Sequence, residues 1–496
     1  MPTKRSSGLI MHLSSLPGQY GIGSLGEAAF YFIDFLADAG QSFWQMLPLL
    51  PPGGGNSPYQ SYSSFAGNPF FIDLDLLWKD GLLTGEECRM SRQGSPDQAD
   101  FAFLKETRLL LLRNAFQRVQ NRHREELDAF REEHKDWLLD YALFMALKDY
   151  FKGVPLSRWP DTEIQHRTKE AMQRYTKLLA EEISFYIFLQ FLFSLQWKAV
   201  KDYAHRSGIQ IIGDLPIYVS PDSADVWANP SLFQLKSNLS PQYTAGVPAD
   251  SFSPTGQNWG NPLYDWEAHK KDGYAFWLAR IRRNLTYYDL IRLDHFRGFH
   301  SYFAIPAHLP DASRGHWMAG PGMEFVRMVL QRVSLNRFIA EDLGELSEAA
   351  RIFVAGSGLP GMRVLVDAFH PDGTSSFLPH NIPPHAVAYT STHDTPTFVE
   401  WLFKRATPEE RRFAMDYLRL GEDEGYGWGA VRGVWASPAA LSISPLQDIL
   451  GLGDDARMNT PATVGGSNWG WRVRREALNG EVSRRLRHLT KTYARM

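Results

Sequence analysis

The sequence predicts an α/β fold, a (β/α)8 (TIM) barrel, on two observations. Eight apolar runs of strand length recur along the 496 residues, and helix-like amphipathic segments separate most of them. Alternating strands and helices favour a parallel sheet, and the count of eight favours closure of that sheet into a barrel. The predicted strands are 8–13, 42–49, 209–215, 287–293, 337–343, 362–366, 386–391 and 439–444.

One catalytic barrel is predicted over residues 1–496, with two connections too long for simple crossovers. Residues 50–208 start as a Gly/Pro/Ser-rich loop and continue as charge-rich, mainly helical segments. Residues 215–286 are rich in Pro, Asn, Trp and Tyr, which predicts a loop-rich insertion. Both follow strands, so we expect both over the C-terminal face, where this fold builds substrate grooves. A basic amphipathic helix follows the eighth strand, and no C-terminal β-sandwich is expected.

Composition argues against several classes of protein. The net charge is −3, with basic and acidic residues nearly balanced, whereas a nucleic-acid-binding surface needs a basic field. Cys88 is the single cysteine, which excludes an internal disulfide and indicates a reducing compartment. The most apolar segment, 183–197, contains two glutamines and is shorter than the ~20 residues of a membrane span. We therefore predict a buried helix there and a cytoplasmic protein without a membrane partner.

Three predicted strands end at a carboxylate. RLDHFRGF places Asp294 just past one strand, EDLG places Glu341 past the next, and STHDTPT places Asp394 past a third. Catalytic groups in barrels come from the carboxyl ends of different strands, and paired carboxylates carry out glycoside chemistry. Asp294 then suits the nucleophile, Glu341 the proton donor, and Asp394 a contact to sugar hydroxyls. Arg292 shares a strand face with Asp294, so we expect it to favour the ionised nucleophile.

Each of these features also has a purely structural interpretation. A single aspartate at a strand end is commonly a helix cap or a turn residue. RLDHFRGF could hold a local salt bridge between Asp294 and Arg292 or Arg297, and EDLG could cap the following helix. Together, three strand-end acids beside an arginine and a histidine favour catalysis over the structural alternative.

Three further segments have the composition of sugar-binding loops. NSPYQSYSSFAGNP presents Ser57 and Tyr59 among turn formers, GDLPIYV places Asp214 at the third strand end, and TGQNWGNPLY interleaves amides with Trp259 and Tyr264. Aromatic rings in polar loops suit the apolar faces of sugars. The alternatives are a plain structured loop, a buried acid bonded to neighbouring strand ends, and a loop packed by its own aromatics. The sequence contains no metal motif, phosphate loop or GxSxG elbow, so no cofactor is predicted.

At these segments the chain resembles the 4-α-glucanotransferase family, also called amylomaltase or disproportionating enzyme. SPYxSxSxFAGNP, GDLPIYV, GQxWGNPLY, RLDHFRGF, EDLG, FLPHN and THD occur in this order, and matching segments cover essentially the whole chain apart from 85–180. The resemblance implies Asp294 as nucleophile, Glu341 as acid/base and Asp394 as transition-state stabiliser. The residues that it implies along the sugar subsites are Ser57, Tyr59, Gln257, Trp259, Arg292, His295 and His393, with Asp250 in a flap near 246–258.

The resemblance also implies the activity. Family members need no cofactor and transfer α-1,4-glucan segments from a maltooligosaccharide donor to a glucose or maltodextrin acceptor, through a covalent glucosyl-enzyme. An α-1,4-glucan hydrolase using the same carboxylates is the alternative, and a non-catalytic glucan-binding protein is a third hypothesis. The oligomeric state is left open.

The sequence departs from the family pattern at several positions. In the flap, PADSFS stands where PPDYFS is expected, so Ala249 replaces a proline and Ser251 an aromatic residue. This change is expected to alter closure on the acceptor side and the balance between transfer and hydrolysis. Asp367 replaces an apolar or aromatic residue, either as an acid supporting the site or as a buried liability. The remaining departures are Ser391 for Gly, Thr395 for Asn and Ala462 for Gly.

Overall fold

The computed structural model describes residues 4–92, 95–119, 123–249, 253–370 and 372–496, and within them eight parallel strands close into a barrel. Every predicted strand contributes one barrel strand, so the predicted fold is confirmed. Both faces of these strands are buried, which explains why they appear as apolar runs rather than as alternating patterns. The strands in the described residues are β1 Ser6–Ile10, β2 Phe43–Gln45, β3 Gln210–Leu215, β4 Tyr243–Val247, β5 Gln257–Pro262, β6 Leu290–Leu293, β7 Ser301–Pro306, β8 His316–Ala319, β9 Phe338–Ala340, β10 Gly361–Val364, β11 Ala386–Tyr389 and β12 Leu441–Pro445.

The barrel order is β1, β2, β3, β6, β9, β10, β11 and β12, which returns to β1. The register sets Asp214 of β3 beside Arg292 of β6, and Leu293 of β6 beside Ala340 of β9. Glu341 directly follows Ala340, so the strand ends at Asp214, Arg292 and Glu341 are neighbours on one rim of the barrel. Pairing of parallel strands about 4.8 Å apart therefore brings together residues far apart in the chain.

Helices surround the barrel and fill the long connection between β2 and β3. Several begin with the expected caps: the Thr84 and Thr407 side chains each form a capping box with a glutamate three residues later. The α-helices of the described residues are α1 Glu27–Asp38, α2 Leu74–Lys79, α3 Gly85–Met90, α4 Phe101–Val119, α5 Arg124–Glu133, α6 Leu138–Tyr150, α7 Thr162–Gln165, α8 Lys169–Leu178, α9 Ala180–Arg206, α10 Ala224–Ala228, α11 Trp266–Lys271, α12 Ala275–Tyr287, α13 Gly322–Leu330, α14 Glu348–Ser357, α15 Phe398–Glu400, α16 Pro408–Leu418, α17 Tyr426–Ala436, α18 Leu446–Ile449 and α19 Gly480–Thr492.

Helix α9 carries the most apolar segment of the sequence. It is long and apolar enough to cross a membrane, but 72% of its most apolar window is buried inside the fold. Its two glutamines bond to loop backbone: Gln190 donates to Gly67 O at 2.8 Å and accepts from Gly67 N at 2.7 Å, and Gln196 accepts from Asp73 N at 2.8 Å. The buried helix predicted at 183–197 is thus confirmed, and its polar side chains fix the loop that carries Tyr59.

A second sheet, in the order β5, β4, β7, β8, does not follow from the sequence patterns. Strand β4 pairs antiparallel with β5 and with β7, and β7 pairs with β8. YTAGV contains Gly and QNWGNP contains Gly, Pro and Asn, residues that are depleted in strands, and HWMA has only four residues. Because long-range pairing stabilises them, residues 215–286 contain more regular structure than a local pattern predicts.

Arg495 links α19 to the bottom of the barrel. Its side chain is fully buried and donates to four carbonyl oxygens: Trp435 O at 2.7 Å, Ser437 O at 2.8 Å, Ala439 O at 3.0 Å and Ser6 O at 3.1 Å. Ser6 O belongs to β1 and Trp435 O to α17, and the other two carbonyls belong to the segment between α17 and β12. One guanidinium therefore holds the first and last barrel strands against the closing helix.

We expect Arg495→Met to destabilise the protein by about 2–4 kcal/mol, because it removes a buried donor from four carbonyls, of which Trp435 O and Ser437 O keep a bond from Arg5. Thermal unfolding at a fixed scan rate measures the loss as a lower Tm. Lys491→Met, an exposed change four residues earlier in the last turn of α19, is the matched control. Equal Tm values for the two variants would contradict the proposed closure of the barrel by Arg495.

Candidate active site

One buried arginine joins three carboxylates at the rim of the barrel. Arg292 Nη1 donates to the two Asp214 oxygens at 2.9 and 2.8 Å and to Asp294 Oδ1 at 2.9 Å. Its Nη2 atom lies 4.0 Å from Glu341 Oε2. The arginine side chain is only 3% exposed. Asp294 and Glu341, from two neighbouring strands, therefore converge on one guanidinium.

Backbone amides orient the Glu341 carboxylate. Its Oε2 atom accepts from His295 N at 2.6 Å, and its Oε1 atom accepts from Leu343 N at 2.9 Å. The first amide points at Glu341 because His295 has a left-handed backbone, with φ of 46°. This conformation is uncommon outside glycine and marks a tight turn after β6. The turn that begins at Asp294 thus also positions its partner acid.

His393 connects Asp394 to the Arg292 cluster. Its Nε2 atom lies 3.0 Å from Asp394 Oδ2 and 2.7 Å from the Tyr59 hydroxyl, which donates to Asp214 Oδ2 at 2.9 Å. The Tyr59 and His393 rings stack, with centroids 5.5 Å apart and planes 9° apart. The three strand-end acids therefore belong to one continuous network of polar contacts.

Three residues of this network were not selected from the sequence. Asn459 Nδ2 donates to Asp394 Oδ1 at 2.7 Å, and Arg457 Nη2 donates to Asp394 O at 2.9 Å. Trp469 packs its ring 5.7 Å from the Tyr59 ring and has a left-handed backbone, with φ of 66°. All three lie in RMNTPATVGGSNWGWR, a segment that carries the family resemblance, so that segment was the available signal.

An aromatic wall lies beside Glu341. The Trp259 ring meets the His295 ring edge-on at 5.1 Å, and Trp259 Nε1 donates to Gln257 Oε1 at 3.1 Å. His295 Nε2 is buried and finds no hydrogen-bond partner among the described residues. Gln60 donates to Trp259 O at 2.8 Å, and this bond connects β5, which carries Trp259, to the loop that contains Tyr59.

The other site residues predicted from the sequence contribute to the site in different ways. Ser57 accepts from Tyr59 N at 3.2 Å, so it caps the turn that presents this tyrosine. Asp214 has no exposed side-chain surface, and its oxygens are taken up by Arg292 and Tyr59. Asp250 and the altered flap residue Ser251 lie outside the described residues, and Ala249 at the flap's edge is exposed.

Burial and neighbouring charges act in opposite directions on the ionisation of the nucleophile. Burial raises the pKa of Asp294 to about 7; Arg292 opposes this, and the nearby charges of Asp214 and Glu341 add to it. Arg292 favours the ionised form of Asp294, as expected, but desolvation and like charges outweigh the effect of one guanidinium. Burial likewise raises the pKa of Glu341, against the effects of Arg292 and the two backbone amides.

Asp394 and His393 behave as an ion pair. Burial alone would raise the pKa of Asp394, but His393 and the bond from Asn459 outweigh it, and the pKa lies well below its usual range. Burial would lower the pKa of His393, yet Asp394 raises it above 6.5. Burial and the Asp214 charge raise the pKa of Tyr59 well above 10, so its phenol remains a donor. Asp394 is therefore the firmly ionised acid of the trio.

The residues that depart from the family pattern lie in different environments. Asp367 has exposed surface, although the protein packed around it raises its pKa to about 6. Thr395 Oγ1 accepts from Thr392 N at 2.8 Å within the turn around Asp394, whereas Ser391 donates to Asp448 on α18 at 2.6 Å. Ala462 has a φ of 64°, a conformation that favours the family glycine. Among the described residues, no group of three or more His, Cys, Asp or Glu could hold a metal ion.

Comparisons with known proteins agree with this geometry. The sequence model of the 4-alpha-glucanotransferase family matches residues 11–478. The 4-alpha-glucanotransferase of Clostridium butyricum is 42% identical over 98% of this chain and 100% of its own length, and that of Thermus thermophilus is 42% identical over 100% of both. The solved amylomaltase from Streptococcus agalactiae in complex with acarbose has a TM-score of 0.96 and 39% identity, covering 99% of this chain and 100% of its own. These relatives do not favour the hydrolase alternative. The chain belongs to the 4-α-glucanotransferase family.

Proposed function

We propose that this protein moves α-1,4-glucan segments between maltooligosaccharides by retaining double displacement, with Asp294 as nucleophile and Glu341 as acid/base. The observation that carries the proposal is the shared contact of both carboxylates with Arg292, at 2.9 and 4.0 Å. A retaining mechanism requires two carboxyl groups beside one glycosidic bond, one to attack and one to transfer a proton.

The reaction has two balanced steps. Asp294 attacks the anomeric carbon while Glu341 gives its proton to the departing oxygen, so the donor's reducing end leaves as a free sugar. A glucosyl-enzyme ester remains on Asp294. The acceptor hydroxyl then attacks the same carbon, Glu341 takes its proton, and the ester bond breaks to regenerate the carboxylate. Two inversions at one carbon retain the α configuration.

The resting protonation state suits the first step. Buried beside each other, Asp294 and Glu341 favour sharing one proton at neutral pH. Arg292 is closer to Asp294, at 2.9 Å, than to Glu341, at 4.0 Å, so it stabilises the negative charge better on Asp294. The proton then resides on Glu341, where the departing oxygen needs it. Both acids have raised pKa values, and the position of Arg292 determines that Asp294 is the ionised one and Glu341 the protonated one.

Asp394 and its neighbours suit the sugar ring in the transition state. Asp394 is ionised and its side chain is 38% exposed, so it can accept from sugar hydroxyls and balance oxocarbenium charge. Asp214 has no exposed side-chain surface, and we assign it to holding Arg292 and Tyr59 rather than to touching substrate. Ser57, Gln257, Trp259, His295 and Asp250 are proposed as subsite contacts, with Asp250 in the flap near 246–258.

Segments that cover the cleft exclude water, and so favour an acceptor sugar over water as the group that attacks the glucosyl-enzyme. The connections after β2, β3 and β6 follow strand ends on the rim that carries the catalytic acids. Residues 1–496 are proposed to act as one catalytic unit, with a maltooligosaccharide donor and a glucose or maltodextrin acceptor. A cytoplasmic location and a role in carbohydrate metabolism are proposed as well, supported by the free thiol of Cys88.

We expect Asp294→Asn and Glu341→Gln each to lower kcat by at least ~10³, because each removes a group that acts in the covalent step. Initial rates with maltotriose measure the effect, and circular dichroism checks folding. Asp289→Asn is the matched control, since Asp289 is a buried acid that precedes β6 and bonds to Ile211 N at the opposite end of the barrel. Near-normal rates in either catalytic variant would end the assignment.

Product analysis separates transfer from hydrolysis. With maltotriose as the only substrate, transfer yields a ladder of longer oligomers together with glucose and maltose. Hydrolysis yields glucose and maltose alone, because water takes the place of the acceptor. We expect the ladder in a chromatogram taken at early conversion, and its absence from an active preparation would favour the hydrolase.

Removing the buried charge of Asp294 should stabilise the fold at neutral pH. An unfolded chain ionises this acid near 3.8, whereas burial and the nearby Asp214 and Glu341 raise its pKa in the folded protein to about 7, so the buried charge lowers wild-type stability wherever Asp294 is ionised in the fold. We expect Asp294→Asn to gain about 1–3 kcal/mol at pH 8 and nothing at pH 4. Thermal unfolding at both pH values measures it, with pH 4 as the internal control. A variant no more stable than wild type at pH 8 would refute the raised pKa.

A further inference from the structure

One buried acid contacts both ends of the turn that carries His393 and Asp394. Asp448 Oδ2 accepts from Thr390 Oγ1 at 2.5 Å and from Ser391 Oγ at 2.6 Å, while its Oδ1 accepts from Phe398 N at 2.7 Å. The turn begins where β11 ends and finishes at the start of α15. A single side chain therefore bonds to both ends of this loop.

The environment of Asp448 is unusual for a merely structural acid. It is fully buried, and within the described residues its side chain bonds only to this turn and is in no ion pair. Burying a carboxylate without a cation is costly unless hydrogen bonds satisfy it, and here three donors from one turn do so. The three hydrogen bonds that offset the free-energy cost of burying Asp448 are therefore the same bonds that hold the turn.

The same stretch of chain also holds the middle of the turn. Asp448 lies on α18, directly after β12, and the residues that follow reach Asp394. Asn459 N donates to His393 O at 3.0 Å, and Asn459 Nδ2 donates to Asp394 Oδ1 at 2.7 Å. Thr397 donates to Leu452 O at 2.8 Å. The turn is thus fixed at its two ends and at its centre by the connection after β12.

Ser391, which stands where the family pattern has glycine, belongs to this network. Its hydroxyl is buried and supplies one of the three bonds to Asp448, whereas the family glycine at this position has no hydroxyl to donate. The backbone here has no need of glycine, since Ser391 is absent from the residues with positive φ. This chain therefore holds the turn with one more hydrogen bond than the family pattern provides.

We propose that Asp448 is a positioning residue for the transfer reaction, holding His393 and Asp394 in place through Thr390, Ser391 and Phe398. The proposal rests on the proposed function of Asp394 at the sugar ring. A displacement of about 1 Å in a catalytic group can cost about 10²-fold in rate. Asp448 acts without touching the substrate, so its loss should affect the transition state more than binding.

The test is a graded series of variants. Asp448→Ala removes all three bonds, and we expect kcat with maltotriose to fall about 10–100-fold while KM changes less than about threefold. Asp448→Asn should restore kcat to within about threefold of wild type. Its carbonyl can accept from Phe398 N, and its amide can donate to the hydroxyls of Thr390 and Ser391, which can also accept.

Two further variants keep the test decisive. Thr390→Val combined with Ser391→Ala leaves the acid in place but removes two bonds, and we expect kcat to fall about 10-fold. It decides the question if Asp448→Ala does not fold. Asp289→Ala, which removes a buried acid at the other end of the barrel, should lower Tm and leave kcat unchanged.

Recording glucose release and oligomer growth separately distinguishes the two proposals. A wild-type enzyme that releases glucose without making longer oligomers would refute transfer, while the ranking of variants by kcat would still support positioning. Variants that lower Tm but keep wild-type kcat, as Asp289→Ala should, would overturn the positioning role. A wild-type protein without any turnover would overturn both.

Discussion

The active site depends on a buried guanidinium surrounded by more negative charge than it can neutralise. Arg292 bonds to Asp214 and Asp294 and lies 4.0 Å from Glu341. Three carboxylates around one cation leave an excess of negative charge in a desolvated place, and the favoured response is for one acid to retain a proton. Glycosyl transfer needs that state, with one carboxylate ionised and its neighbour protonated. The arrangement costs stability, which places the site among those where folding and function compete.

The surrounding structure answers this constraint by fixing each acid separately. Asp214 is committed to Arg292 and Tyr59, and Glu341 is oriented by the backbone amides of His295 and Leu343. Asp394 has its own counter-charge in His393, at 3.0 Å, and its pKa lies well below its usual range while those of Asp294 and Glu341 are raised. Two electrostatic units with different protonation states thus share one cleft, joined through the Tyr59 hydroxyl.

Support for the site comes from parts of the chain that never reach the cleft. Gln190 and Gln196 on the buried helix α9 bond to the backbone of the loop that carries Tyr59. The second sheet places Trp259 against His295, and the connection after β12 holds the turn around Asp394. Gln190 and Gln196 are buried polar groups whose hydrogen bonds offset the cost of their burial and fix the loop.

Some of this was determined by the sequence itself. Eight apolar runs set the barrel strands, because strands buried on both faces must be apolar along their whole length. Acids at strand ends located Asp294, Glu341 and Asp394, since residues after parallel strands share one rim. These are local signals, and they need no knowledge of what lies across the barrel.

Tertiary structure decided the rest. The antiparallel sheet of β4, β5, β7 and β8 exists through pairing between distant segments, which no local pattern of residues reveals. The raised pKa of Asp294 depends on burial and on acids from other strands, which outweigh the adjacent Arg292. Asn459, Trp469 and Asp448 matter because folding brings them against Asp394, Tyr59 and the turn at Ser391. A sequence pattern reports what a residue does to its neighbours in the chain, whereas desolvation and long-range hydrogen bonds depend on neighbours in space.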